Sequence, residues 1–165
     1  MTKSALITVG STRFDGLIGQ CKDIVEALAK QGYTRVVVQH GKSPLPEGLD
    51  GCVTEAFEYT DSLSKYIEQS DIVISHAGAC TGTVIEVLRS NKKLVVVHNE
   101  KLLDDHQKEL AVRLSRLGYC VHSSVENLLS TLHATDLDKV SPAAFPEFAA
   151  DRVRRFFDGQ AGFPV

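Results

Sequence analysis

The stretch Asp71-Ile72-Val73-Ile74-Ser75-His76 runs into Ala77-Gly78-Ala79-Cys80-Thr81-Gly82-Thr83 and then into Val84, Ile85, Val87 and Leu88. A short apolar run rich in β-branched residues suits a strand buried on both faces of a parallel sheet. The small residues after it make a turn, and the apolar spacing beyond the turn is helical. The same strand–turn–helix unit recurs on either side. Residues 5–9, 35–39 and, more weakly, 52–57 read as strands upstream, and residues 94–98 and 119–121 read as strands downstream. Between them, Leu17, Ile18, Ile24, Val25 and Leu28 carry one helix over 15–31, with Gly32 as its stop. Asp61 is expected to cap a short helix through Leu63, Tyr66 and Ile67. A long helix is expected over 104–117, stopped by Gly118. Ser124 is expected to cap another through Leu128, Leu129 and Leu132, and residues 148–157 suit a final one. Six strands alternating with helices predict an α/β fold: a doubly wound, Rossmann-like parallel sheet in the order 3-2-1-4-5-6. With 165 residues and no internal repeat, the chain reads as a single domain over 1–165.

Composition narrows the function. A formal charge of −3 supplies no basic footprint for nucleic acid or anionic lipid. With no Trp and 7% aromatic residues, a base-stacking surface for single strands is not expected either. The N-terminus enters a strand without the apolar stretch of a signal peptide, and no window reaches the ~18 apolar residues of a membrane span. Cys21, Cys52, Cys80 and Cys120 lack CxxC spacing and are expected to be reduced and mostly buried, as in the cytosol.

In an open α/β sheet the ligand crevice lies beyond the carboxyl ends of the strands, where strand order reverses. Here that selects the loops after strands one and four, Gly10-Ser11-Thr12 and residues 78–83. Glycines there let a phosphate approach the backbone, and a following helix N-terminus offers unpaired amides. Tight turns of a doubly wound sheet have the same composition, so that reading stands beside the phosphate one. A dinucleotide fingerprint is absent, because the first loop reads Gly10-Ser11-Thr12-Arg13-Phe14-Asp15-Gly16 and strand two ends Gln39-His40-Gly41 without an acid. A Walker A motif is absent as well. Glu86, about one turn into the next helix, suits a ribose diol because a carboxylate is an acceptor-only group, with an ordinary exposed helix residue as the competing reading. His106 and Gln107, behind Asp104 and Asp105 at the same rim, suit sugar hydroxyls. Two adjacent acids alone are weak grounds for a metal, and none is expected.

Three segments together resemble one family. They are Ile7-Thr8-Val9-Gly10-Ser11-Thr12-Arg13-Phe14-Asp15, Ile74-Ser75-His76-Ala77-Gly78 and Asn99-Glu100-Lys101-Leu102-Leu103-Asp104-Asp105-His106-Gln107. The family is the catalytic subunit of the eukaryotic UDP-N-acetylglucosamine transferase that adds the second GlcNAc to dolichol-diphosphate-GlcNAc. It is similar in turn to the C-terminal half of the bacterial lipid II GlcNAc transferase, a GT-B enzyme. The resemblance implies a donor-binding half of a GT-B glycosyltransferase that uses UDP-GlcNAc as donor substrate and no cofactor. Gly10, Ser11 and Thr12 would lie against the diphosphate, with Gly78, Ala79, Thr81, Gly82 and Thr83 holding its other side. Glu86 would take the ribose, His106 and Gln107 the GlcNAc, and the turn around residues 57–60 the uracil. His76 is a candidate base by location alone, with a structural histidine as the competing reading. His76 and Glu86 stand ten residues apart, two more than in the family, which makes Ala79-Cys80 an inserted bulge. The acceptor half would come from a membrane-anchored partner subunit that recruits the chain to the cytosolic face of the endoplasmic reticulum. Residues 146–165, rich in Phe and Arg, would either dock on that partner or cover this chain's own sheet. A non-catalytic sugar-nucleotide module and a transferase for another UDP-sugar remain as alternatives.

Overall fold

The computed structural model describes residues 2–49, 51–77, 81–101 and 106–146. Six strands, β1 (Lys3–Thr8), β2 (Tyr33–Gln39), β3 (Glu55–Phe57), β4 (Ile72–His76), β5 (Lys93–His98) and β6 (Val121–Ser124), form one sheet. Its order is β3-β2-β1-β4-β5-β6, and every neighbouring pair is parallel. This is the order expected from the alternation of patterns.

The strands alternate cleanly between two cores, as a period of two residues requires. Ala5, Ile7, Val36, Val38, Ile72, Ile74, Val95 and Val97 face α1 (Asp15–Ile18), α2 (Cys21–Lys30) and α6 (Leu128–Ala134). Leu6, Val37, Val73, Leu94 and Val96 face α3 (Ser64–Glu68), α4 (Thr81–Arg89) and α5 (His106–Arg116). No helix among the described residues is long and apolar enough to cross a membrane.

Several local expectations shift. The helix expected over 15–31 is two helices, broken at Gly19 and Gln20. The apolar spacing is continuous through the break, but the Gln20 side chain donates to the Val125 carbonyl at 3.2 Å and holds the kink. Asp61 does not cap α3, whose N-cap position is Leu63 without a side-chain bond. Ser124 ends β6 rather than capping α6; its hydroxyl accepts from Asn127 N–H and Nδ2, bracing the turn ahead of the helix. β3 is shorter than expected because the amides of Cys52 and Val53 donate to the Leu49 carbonyl in a turn. β6 begins later, since Tyr119 N–H closes the end of α5 on Leu114. The segment 148–157 lies outside the described residues. Cys21 and Cys120 are buried free thiols raised to about pKa 12 by burial, whereas free Cys52 is exposed.

Beyond α6 the chain crosses the amino edge of the sheet. Leu137 N–H donates to the Gln31 side chain, whose amide donates to the Leu132 carbonyl. Lys3 binds Asp138 at 2.6 Å, and Ala143 N–H then donates to the Gly118 carbonyl, with Phe145 edge-on to Tyr119. The N-terminal strand and first long helix are thus closed by the last described residues. Leu28, fully buried on α2 in the core that α6 completes, tests this closure. Leu28→Ala is expected to cost roughly 2–5 kcal/mol, read as a lower urea midpoint at unchanged slope.

Candidate functional site

β1 pairs with β2 on one side and with β4 on the other, so the switch point lies between β1 and β4. The loops leaving those two strands part there. The loop over residues 9–16 divides the carboxyl edge into two concavities. One, of about 290 Å³, is lined by Gly10, Ser11, Gln39, Thr83 and Glu86, together with the turn from Tyr59 to Leu63. The other, of about 320 Å³, lies between Arg13, Phe14, Asp15 and Gly16 of the loop, Asn99 to Lys101 after β5, and Val125 and Glu126 after β6.

The first groove gathers Gly10, Ser11, Thr83 and Glu86, four of the residues expected to hold a donor. Glu86 is half-buried, and its carboxylate accepts a short hydrogen bond from the Ser64 hydroxyl. Ser64 accepts in turn from the Ser62 hydroxyl at 3.1 Å. The acid is therefore held in place from α3 and keeps an acceptor oxygen for a diol. Tyr59 stands 65% exposed and lines the same groove. Neither serine was legible as a site residue, because the approach of α3 to α4 is set by the fold.

Gly10 lines the groove with its amide committed inside the protein. Its φ of +70° suits a residue without a side chain, but its amide donates into the protein, to Gln39 Oε1 at 2.8 Å. The amides of Ser11, Thr12 and Arg13 have no protein acceptor among the described residues, so these are the groups free for an anion. The Thr12 hydroxyl turns back to donate to the Val9 carbonyl at 3.0 Å, leaving the exposed Ser11 hydroxyl available. Arg13 is held by Asp15 through contacts of 2.7–3.0 Å; that pairing, with help from the Ser43 hydroxyl, keeps the Asp15 carboxyl below its usual range. With an acid already in the first turn of four-residue α1, the nine-residue α4 is the better dipole for a phosphate.

The loop is seated on the end of β2. Lys42 N–H donates to the Thr12 carbonyl, and the Ser43 hydroxyl accepts from Phe14 N–H at 2.7 Å. Gly41 makes this seat fit: its φ is +57°, and a Cβ there would stand 2.2 Å from the Thr12 carbonyl oxygen.

His76 ends β4, 2% exposed, with its ring 4.4 Å from that of Phe14. Both of its ring nitrogens and Gln107 Oε1 are buried without a hydrogen-bond partner among the described residues. Gln107 is nonetheless near enough to favour the protonated ring slightly, against the larger effect of burial, which lowers the His76 pKa. Buried polar atoms left unpaired mark a place for a polar ligand or water. Gly82 is exposed with open space beside it. Gly78, Ala79 and Cys80 lie outside the described residues, as do the side chains of Thr81 and His106. Among the described residues no group of three or more His, Cys, Asp or Glu is arranged to hold a metal.

The depressed His76 pKa has a signed consequence. Above about pH 6.5 the ring is neutral in both folded and unfolded chains and adds no pH dependence. Below that value the unfolded chain takes up a proton that the folded chain resists, so stability falls on acidification. His122, lowered first by burial and further by His98 and Lys108, acts in the same direction. His76→Leu should flatten part of the loss in urea midpoint between about pH 7 and pH 5; an unchanged slope would assign the effect elsewhere.

A sequence profile of the Glycosyltransferase family 28 C-terminal domain matches residues 4–157. The mouse protein named UDP-N-acetylglucosamine transferase subunit ALG13 is 42% identical over 122 residues, covering 71% of this chain but 10% of the mouse protein. The protein of that name from Cryptococcus neoformans is 31% identical, covering 96% of each. The chain thus spans about a tenth of the mouse relative and nearly all of the fungal one. Among solved structures, a solution structure of ALG13 superposes with a TM-score of 0.65 at 24% identity, covering 94% of both chains. The crystal structure of Acinetobacter baumannii MurG gives 0.61 at 20% identity, over 81% of this chain and 40% of that one. At those identities the two structures speak to the fold alone. The profile match over residues 4–157, on a sheet whose loops open a groove at the switch point, makes this chain a member of the glycosyltransferase family 28 C-terminal domain family.

Proposed function

We propose that the chain is the donor-binding subunit of an inverting UDP-GlcNAc transferase that adds a second GlcNAc, in β1,4 linkage, to GlcNAc-diphospho-dolichol. The observation that carries this reading is the groove that joins Glu86 to Ser11, whose amide, like that of neighbouring Thr12, has no protein acceptor among the described residues. Glu86 takes the ribose hydroxyls, and Tyr59 offers a face to the uracil. Ser11 and Thr12 on one side, and Gly78, Ala79 and the first turn of α4 with Thr81, Gly82 and Thr83 on the other, hold the diphosphate. His106 and Gln107 reach the sugar. Positioned amides stabilise the charge that develops on the departing UDP, so the scheme calls for no metal or other cofactor.

The acceptor O4 attacks the anomeric carbon, and UDP leaves with the electron pair of the broken bond. O4 must lose a proton to a base. Burial weakens His76 as that base, so we assign it instead to holding a polar group beside Gln107, and the base to the partner. A membrane-anchored acceptor subunit completes the cleft and brings the chain to the cytosolic face of the endoplasmic reticulum. The names of the relatives, which call each of them a subunit, support that division.

Calorimetry with UDP-GlcNAc, UDP-Glc and GDP-mannose tests the donor. Uridine nucleotides should bind, and Glu86→Gln should weaken UDP about tenfold, the size of one charge-assisted hydrogen bond. Absence of any preference for uridine would refute the reading. Donor binding without transfer to a GlcNAc-diphospholipid, even with the acceptor subunit present, would point to a non-catalytic sugar-nucleotide module.

A further inference from the structure

Gln39 is the last residue of β2 and is 2% exposed at the floor of the nucleotide-side groove. Its amide is fully used. Oε1 accepts from the Thr8 hydroxyl at 2.5 Å and from Gly10 N–H at 2.8 Å. Nε2 donates to the Gly10 carbonyl at 2.6 Å and to the Glu58 carbonyl at 2.7 Å. A primary amide has two donor hydrogens and an oxygen with two lone pairs, and here all four positions are spent on protein. They reach three segments: the end of β1, the loop that follows it, and the turn that follows β3.

That last link joins opposite walls of one groove. Gly10 and Ser11 form one wall, and Glu58 directly precedes the Tyr59-to-Leu63 turn that forms the other. Backbone bonds of the same region run along each wall or seat it on β2: His40 N–H to the Phe57 carbonyl, Gly41 N–H to the Glu58 carbonyl, Lys42 N–H to the Thr12 carbonyl. Gln39 alone among these touches both walls with one rigid planar group. Only a neutral amide has the right mix of donors and acceptors. A carboxylate at this position would set an oxygen against two carbonyl oxygens, and an aliphatic side chain would remove all four bonds, leaving the Gly10 carbonyl without its donor and the two walls without their side-chain link.

We propose that Gln39 is a positioning residue that fixes the separation of the phosphate-side loop and the nucleoside-side turn, and that donor affinity depends on it without ligand contact. This rests on the reading of the groove as a uridine-nucleotide site. It also explains why the end of β2 carries no ribose-binding acid: the position serves the protein backbone, and the acid that faces the groove comes from α4 as Glu86.

The test compares Gln39→Leu and Gln39→Asn with the unaltered chain; the Asn side chain keeps the amide but is too short to span both walls. UDP binding is measured by calorimetry, with fitted stoichiometry reporting the folded fraction. Affinity per folded molecule should fall tenfold or more in whichever variants fold. Leu132→Ala, a core change on α6 away from the groove, should leave affinity within twofold. With the acceptor subunit, KM for UDP-GlcNAc should rise at least tenfold while kcat changes little. Amide hydrogen exchange without ligand supplies an independent arm: segments 10–14 and 57–62 should both lose protection when Gln39 is replaced. UDP affinity within twofold of the unaltered chain, or loosening of one segment alone, overturns the proposal. Failure of the unaltered chain to bind uridine nucleotides removes the donor reading, whereas the exchange arm still decides whether Gln39 ties the two walls.

Discussion

The pairing of β1 with β4 is the constraint on which the rest of the structure depends. Ala5 to Thr8 lie in register with Ile72 to Ser75, in the middle of a sheet whose chain winds outward from that pair in both directions. Right-handed crossovers then send the connection after β1 to one face and the connection after β4 to the other. The two loops must part at the carboxyl edge, and a groove opens between them without any side chain needing to hold it open. What side chains do is decide its shape. The floor comes from Gln39, the walls from Gly10 and the Tyr59 turn, and the acid from Glu86, which Ser64 holds by a hydrogen bond.

The order of six strands was legible because each strand is a short apolar run bounded by small residues, and because parallel topology leaves few ways to connect them. The place of a groove followed from the same rule, and Gly10, Ser11, Thr83 and Glu86 do line one there. What escaped the sequence depends on contacts distant along the chain. The break between α1 and α2 is held by Gln20 on Val125, and no local pattern announces it. The Ser62–Ser64–Glu86 chain needs α3 against α4. Gln39 could be read in the sequence only as a missing acid; its positive role needs the positions of three backbone segments.

Polar groups are treated in opposite ways on the two sides of the 9–16 loop. On one side every hydrogen-bonding position of Gln39 is satisfied within the protein. Against Phe14 of that loop, by contrast, His76 keeps both ring nitrogens buried with no partner among the described residues, as does Gln107 its Oε1. The saturated group gives shape and the unsaturated ones leave unfilled valence, so rigidity and affinity are divided between different residues. An Arg13 already engaged by Asp15 fits this division, since the loop then presents the neutral amides of Ser11 and Thr12 rather than a free cation.

The closure of the amino edge has a temporal consequence. Lys3 meets Asp138, and Gln31 meets Leu132 and Leu137, so the first strand and the first long helix find their last partners more than a hundred residues later. During synthesis the β1–β2 unit emerges with one flank of its core bare, and it stays bare until α6 and the strap behind it have left the ribosome. The sheet grows outward strand by strand from its centre, yet the layer that seals its oldest part is the youngest. That flank stays exposed until residues 128–138 have emerged, and the strap around Asp138 acts as the clasp that ends the interval.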